Sequence, residues 1–505
     1  MKLPIINNPK NIADDIYNEV VSNCDFYVDK NGEAYLVSYN STGYDLVYVS
    51  SPESTKEFMI ELYFDQYNQT AKNSDILTAY NTICSLVRKC KDKVPVYTRV
   101  GVYNDTFYYD LLSPNGTVVK IENKRVKFVN KVKINDIFFY QDKTMVQQEI
   151  PIKSNYTLMD FINEFFNVEE EQKLLLAVYI IAAFIPDISH PILIVEGEKG
   201  AGKTTLLSYI SKIINPVMKD VFVLPRNNDN LVTALSNNHF SAFDNIGKLS
   251  KEFCNTFCQA STGGTLIKRK LYSDNTEICI NIKRLVALNG INLEITQSDL
   301  LDRAILLRLN RIKPTKRLPD EELNKRFNEC LPSILGNIFV TLAMALALYP
   351  ILKHKEYPRM ADFSRYGYAI AEAIGYGYGA EFINAYKTNI RLAVETSVEQ
   401  NPLIDCLRQF VEEEKSWQGS MTELQHKLKE SFKKMYGNSR LPDVLESTPN
   451  TLSRQLSTFK HELEELGINV DIGRNTKRYV FVEKIETETY EENTVDIDDV
   501  GDKKS

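Results

Sequence analysis

An unbroken apolar run, Pro191-Ile192-Leu193-Ile194-Val195, leads into Gly197-Glu198-Lys199-Gly200-Ala201-Gly202-Lys203-Thr204, and a helix-compatible stretch, Thr205 to Ile210, follows. A buried strand, a glycine-rich turn and a helix in that order constrain the fold tightly. The strand belongs inside a covered sheet, and the turn must gather backbone N–H groups at the positive end of the helix. This is the setting of a phosphate-binding loop, which makes Gly197, Glu198, Lys199, Gly200, Ala201, Gly202, Lys203, Thr204 and Thr205 the candidate contacts to ATP. Lys203 is expected to reach the β- and γ-phosphates and the Thr204 hydroxyl to ligate Mg²⁺. The alternative is a solvated glycine-rich turn.

Such a loop needs an acid from a second strand. His239-Phe240-Ser241-Ala242-Phe243-Asp244-Asn245 supplies the best one, with Asp244 at the end of an apolar strand forty residues after Thr204. Asp244 is expected to complete the Mg²⁺ shell through water, although an aspartate can also simply end a strand. The position after it, where a water-polarising glutamate is usual, is Asn245, so the general base stays unassigned. Leu285-Val286-Ala287-Leu288-Asn289-Gly290 repeats the buried-strand pattern. Asn289 is expected to orient the attacking water or sense the γ-phosphate, the alternative being a turn-forming Asn. In Asp299-Leu300-Leu301-Asp302-Arg303, Arg303 is a candidate finger on a neighbouring subunit's nucleotide, or else a partner of Asp299 or Asp302.

Between Asp244 and Asn289, the segment from Thr262-Gly263-Gly264 through Lys268-Arg269-Lys270-Leu271-Tyr272 to Glu277–Ile282 reads as a hairpin with three consecutive cations and an aromatic. Phosphate contacts from Lys268, Arg269 and Lys270 with base stacking on Tyr272 would hold a single strand without sequence preference. A solvated basic hairpin is the plainer reading.

The whole chain has 505 residues, enough for about three to four domains. Its net charge of −7 argues against a nucleic-acid partner only at first sight, because nine acids and three lysines between Glu483 and Ser505 account for −6 of it. The remainder is close to neutral, and local basic patches can dominate. The eight cysteines form no Cys-x-x-Cys and the five histidines do not gather near them, so neither a zinc site nor a disulfide framework is suggested, and reduced thiols in a cytoplasmic protein are expected. No secretory signal is visible at the N-terminus. Leu331 to Leu352 carries no charge, but Pro332, Gly336, Asn337 and Pro350 interrupt it, and a buried helix is expected rather than a membrane span.

Periodicity divides the chain into an α+β N-terminal domain of unread role (1–150), a P-loop α/β core (151–310), a helical region (311–414), a winged helix-turn-helix (415–484) and an acidic disordered tail (485–505). In the first domain, strands are expected at Ala34–Tyr39, Leu46–Val49, Val96–Val102, Thr106–Leu112, Thr117–Ile121 and Arg125–Val129, with helices at Lys56–Asn68 and Asp75–Lys91. Its lack of Asp-x-Asp weakens a primase reading. The wing is expected to be the hairpin Ile468–Ile472 with Arg478–Val482, after helices Met421–Met435 and Pro449–Leu466. Arg454 and Lys460 on the second helix, with Arg474, Lys477 and Arg478 on the wing, are the candidate duplex DNA contacts.

The P-loop, Phe243-Asp244-Asn245, Thr262-Gly263-Gly264 to Leu271-Tyr272, Leu288-Asn289-Gly290, Asp299 to Arg303 and Pro358-Arg359-Met360-Ala361-Asp362-Phe363 together resemble the superfamily III, AAA+-related ATPases of phage, plasmid and prophage replication. That resemblance covers about Leu158 to Val482. It implies an AAA+-like α/β P-loop NTPase core, a hexameric ring of identical subunits translocating on single-stranded DNA, ATP and Mg²⁺ as cofactors, and a primase or other replication partner. The implied function is an ATP-dependent DNA helicase of a mobile genetic element. The rival reading is an ATP-switched DNA-binding initiator or regulator that does not unwind processively, with a primase-helicase as a third option.

Overall fold

The structure, a computed structural model, describes residues 2–485 apart from 31, 40–43, 50–51, 90–92, 135–136, 142, 270–276, 291–297, 353–355, 400–401, 438, 440 and 475–477. It divides into two compact units, Met1–Ala393 and Val394–Ser505. The expected acidic tail from 486 onward lies outside the described residues.

The first unit is organised by five parallel strands, β1 (Ile192–Gly197), β2 (Phe222–Val223), β3 (Phe240–Asp244), β4 (Leu285–Asn289) and β5 (Ala304–Leu309), in the order β2-β3-β4-β1-β5. Period-two alternation sends their side chains into two separate cores. Leu193, Val195, Phe240, Ala242, Ala287, Ile305 and Leu307 face one core. Ile192, Ile194, Phe243, Val286, Leu288 and Leu306 face the other, against helices Asn228–Asn237 and Lys251–Thr262. With both faces covered, the strands must be apolar throughout, which is why the run before the P-loop reads as continuous.

The first core also takes in the helix after the P-loop, Lys203–Ile214, and helices Glu170–Ala182, Asp320–Leu348 and Ala361–Ile374. Asp320–Leu348 is long and apolar enough to cross a membrane, yet Phe327, Ile334, Leu335, Ile338, Phe339 and Leu342 are fully buried in this core. This is the buried helix expected here, and it runs through Pro332, Gly336 and Asn337, which are where an earlier segment docks. Ile152 N–H donates to the Pro332 carbonyl at 3.0 Å. A Cβ on Gly336 would lie 1.9 Å from the Ile152 carbonyl oxygen, so the close approach requires glycine. The Asn337 side chain accepts from Leu158 N–H at 3.0 Å, at the start of helix Leu158–Phe165.

Residues 1–150 contribute two layers. Helices Ile12–Asn23, Pro52–Tyr67 and Asn73–Val87 accompany an antiparallel sheet of Cys24–Val28, Ala34–Tyr39 and Tyr44–Tyr48. A second antiparallel sheet, Val100–Tyr103, Thr106–Asp110, Thr117–Glu122 and Arg125–Asn130, places Val100, Phe107, Tyr109, Val119 and Ile121 in the same core as the P-loop helix. The expected strand Val96–Val102 is split at Thr98-Arg99. The split buries Arg99 completely, and its guanidinium donates to the carbonyls of Asp110 (3.1 Å), Val146 (2.8 Å) and Pro216 (3.0 Å). Tyr109 donates to Ile214 O, and Gln148 donates to Lys212 O and Ile213 O. Tyr109 and Gln148 thereby satisfy carbonyls that the P-loop helix leaves open at its C-terminal end, and Arg99 holds the Pro216 carbonyl just beyond it. His190 and His239 do the same for helix Glu170–Ala182, contacting Ala182 O (2.9 Å) and Ala183 O (2.8 Å).

The second unit has its own core. Helix Pro402–Glu414 contributes Leu403, Leu407 and Phe410 to it, so this helix belongs here rather than to the preceding helical region. Met421–Tyr436 begins with a Ser420/Glu423 capping box. The expected helix Pro449–Leu466 is two, Pro449–Thr458 and Lys460–Glu465. Ile468–Arg474 pairs with Arg478–Lys484, and Ser416–Gly419 adds a third strand.

Two outcomes test these buried polar contacts. Arg99→Met leaves several carbonyls unsatisfied and should cost about 3 kcal/mol or more of stability in urea unfolding; a loss below about 1 kcal/mol would contradict the role given to Arg99. Burial holds the His190 and His239 rings down at about 4 and about 3. The unfolded chain therefore binds more protons below pH 6.5, and stability should fall as pH drops from 6.5 toward 4, by up to about 1.4 kcal/mol per pH unit per histidine. His239→Gln should make that slope shallower, and an unchanged slope would refute the assignment.

Candidate nucleotide site

The strand register assembles the site. Val195 of β1 lies opposite Asn289 of β4, and Phe243 of β3 lies opposite Leu288, so Asp244 and Asn289 end side by side just where β1 turns into the loop. Gly197 leaves the strand with φ of 150°, and a Cβ there would stand 2.6 Å from Leu309 O of β5. The loop is pressed against the sheet edge where only glycine fits. Helix Lys203–Ile214 then starts from Gly202, with Thr204 in its first turn.

The Thr204 hydroxyl donates to the Asp244 carboxylate at 2.8 Å. The two groups expected to serve one metal, from positions forty residues apart, are thus in contact. Lys203 is largely buried, and its ammonium donates to the carbonyls of Gly197 (2.7 Å) and Glu198 (3.1 Å), poised over the loop it is expected to serve. Asn289 is buried; its side-chain oxygen accepts from Asn245 N–H at 3.2 Å, and its Nδ2 has no partner among the described residues. A buried amide donor with nothing to bind, beside a hydroxyl and a carboxylate suited to Mg²⁺, fits a nucleotide's terminal phosphate and its metal.

Asn245 has a backbone reason for its identity. Its φ is 58°, a left-handed conformation that Asn tolerates far better than Glu, and its N–H donates to Asp244 Oδ1 at 2.6 Å. The side chain is exposed at the site.

Arg303 is held within its own chain. It makes an ion pair with Asp299 and donates to Asp299 O at 2.9 Å. Arg359 bridges the same acids, with Nη2 2.9 Å from Asp299 and Nη1 on Asp302. Burial raises the Asp299 carboxyl's pKa, but Arg303 and Arg359 together outweigh it and hold the group below its ordinary value. Arg359 carries no signal of a site residue in the sequence beyond its place in Pro358–Phe363.

A cavity of about 630 Å³ opens beside the loop, lined by Gly200, Gly202 and Thr205 together with Phe166, Asn167 and Ile312. Asp244 and Asn289 do not line it.

The basic hairpin forms as Gly264–Arg269 paired with Glu277–Ile282, with Lys268 opposite Ile278 and Arg269 opposite Glu277. Lys270 and Tyr272 lie outside the described residues. In the second unit Arg454 is exposed on Pro449–Thr458, and Lys460 opens the next helix, 4.0 Å from Glu464. Arg474 and Arg478 are paired in the backbone register at the end of the hairpin, and Lys477 lies outside the described residues.

No curated protein matches the sequence. Among solved structures, the apo C-terminal region (305–718) of NrS-1 aligns over 93% of this chain and 98% of its own at 11% identity, with a TM-score of 0.39. A structure described as SCCmec type IV Cch, active helicase, aligns over 92% and 93% at 13% identity, with a TM-score of 0.44. Residues 156–390 match the family model of the actinomycete integrative conjugative element replication protein RepA, and residues 403–494 match the model of the RepA C-terminal domain. From residue 156 to 494, therefore, the chain is similar in sequence order to both parts of one replication-protein family, that of the integrative conjugative elements.

Proposed function

We propose that the chain is an ATP-dependent DNA helicase of a mobile genetic element, related to the superfamily III, AAA+-like ATPases and working as a ring of identical subunits on single-stranded DNA. The observation that carries the ATPase part is the 2.8 Å contact between Thr204 and Asp244 at the mouth of a glycine-rich loop. ATP is the substrate, with Mg²⁺ held by Thr204 directly and by Asp244 through water. Lys203 leaves its loop carbonyls for the β- and γ-phosphates, and Asn289 uses its spare Nδ2 on the γ-phosphate or the attacking water. Arg303 exchanges Asp299 for the transition-state charge of a neighbouring site. Lys268, Arg269, Lys270 and Tyr272 grip the single strand. The second unit is read as a winged helix whose Arg454, Lys460, Arg474, Lys477 and Arg478 meet duplex DNA. An ATP-switched initiator uses the same nucleotide site without unwinding, and a primase or other replication protein is the partner class.

Lys203→Ala and Asp244→Ala should each remove ATP turnover, while Arg303→Ala should keep nucleotide binding and lose turnover by about 10³-fold or more. Mixing Lys203→Ala with Arg303→Ala protein creates interfaces with one intact Lys203 facing one intact Arg303, so ATPase activity should partly return. Absence of recovery in demonstrably mixed assemblies would leave Arg303 as an internal ion pair, and turnover by Lys203→Ala would remove the P-loop reading itself.

A further inference from the structure

The segment that leaves β5 brings two arginines back onto the P-loop. Arg311 sits 3.9 Å from the Glu198 carboxylate. Arg317, just past the short turn Pro314–Lys316, places Nη2 3.0 Å from where a Cβ on Gly200 would stand. The missing side chain of Gly200 is thus the space over which the Arg317 guanidinium lies. Both residues line the 630 Å³ cavity, as do Lys313 and Arg326. Arg311 and Arg326 are already paired, with Glu198 and Glu164. Arg317 is exposed and has no carboxylate partner among the described residues.

We infer that Arg317 is a nucleotide-binding residue, contacting the α- and β-phosphates across Gly200 of the loop. This rests on the P-loop reading above and adds a residue that reading does not contain. Two observations and one property of the guanidinium converge on the diphosphate rather than the γ-phosphate. The groups assigned to the terminal phosphate and its metal, Asp244 and Asn289, stand at the ends of β3 and β4 and do not line the cavity. The P-loop residues that do line it, Gly200 to Gly202 and Thr205, surround the helix start, where backbone N–H groups collect phosphate oxygens. A planar guanidinium lying across that turn can donate two parallel hydrogen bonds to neighbouring phosphate oxygens, which a lysine in the same place cannot.

The test is equilibrium binding of fluorescent ADP and of a fluorescent non-hydrolysable ATP analogue to the full chain, comparing wild type, Arg317→Ala, Arg317→Lys and Lys203→Ala. Arg317→Ala should weaken both nucleotides by the same factor, about tenfold or more, and Arg317→Lys should restore only part of it. Circular dichroism should be unchanged, as expected for an exposed side chain. Unaltered affinity for both nucleotides in Arg317→Ala, with Lys203→Ala impaired, overturns the assignment and leaves the P-loop reading standing. Loss confined to the ATP analogue overturns it in favour of a γ-phosphate contact. Failure of wild type to bind either nucleotide overturns both the assignment and the P-loop reading.

Discussion

The hydrogen bond from the Thr204 hydroxyl to the Asp244 carboxylate joins the first turn of a helix to the end of a strand two places away in the sheet, and it forms only if three things are right together. β4 must lie between β1 and β3, the parallel register must bring Val195 level with Asn289 and Leu288 level with Phe243, and Gly197 must let the loop turn against Leu309. A one-residue slip of β3 would also turn its buried residues onto the wrong face of the sheet. The same apolar alternation that stabilises the two cores therefore positions the site. Asn245 fits this frame as well: its left-handed backbone ties Asp244 to Asn289 through a single N–H, a geometry in which a glutamate would be strained.

The helix that presents its positive end at the P-loop has its other end buried among side chains from residues 99–148. Arg99, Tyr109 and Gln148 take up the carbonyls of Lys212, Ile213, Ile214 and Pro216. Residues from the first 150 thus complete the P-loop fold rather than merely preceding it. That arrangement gives physical content to a region whose sequence shows no catalytic pattern.

The parts of this architecture that were legible in the sequence are those written in local pattern. The run Ile192–Val195 followed by spaced glycines can only be a covered strand entering a loop, Asp244 ends a strand of the same kind, and the returning hairpin strand Glu277–Ile282 was placed to the residue. What could not be read depends on partners distant in sequence. Pro332, Gly336 and Asn337 interrupt the apolar pattern of a helix, and nothing local shows that Ile152 and Leu158 dock on them. The pairing of Arg303 with Asp299 is legible as an alternative from their spacing, whereas nothing local shows that Arg359, some sixty residues on, shares Asp299. The split at Thr98-Arg99 breaks a good strand pattern for the sake of carbonyls near residue 216. In each case long-range polar satisfaction outweighs local propensity.

The central claim, that nucleotide turnover at this site drives strand separation, is tested most directly by displacement of one labelled strand from a forked DNA duplex. The chain should release the strand with ATP and Mg²⁺, and should bind the fork without releasing it when ATP is replaced by a non-hydrolysable analogue. Fork binding and ATP hydrolysis with no displacement, across loading conditions and fork designs, would contradict the motor and leave an ATP-switched DNA-binding protein in its place.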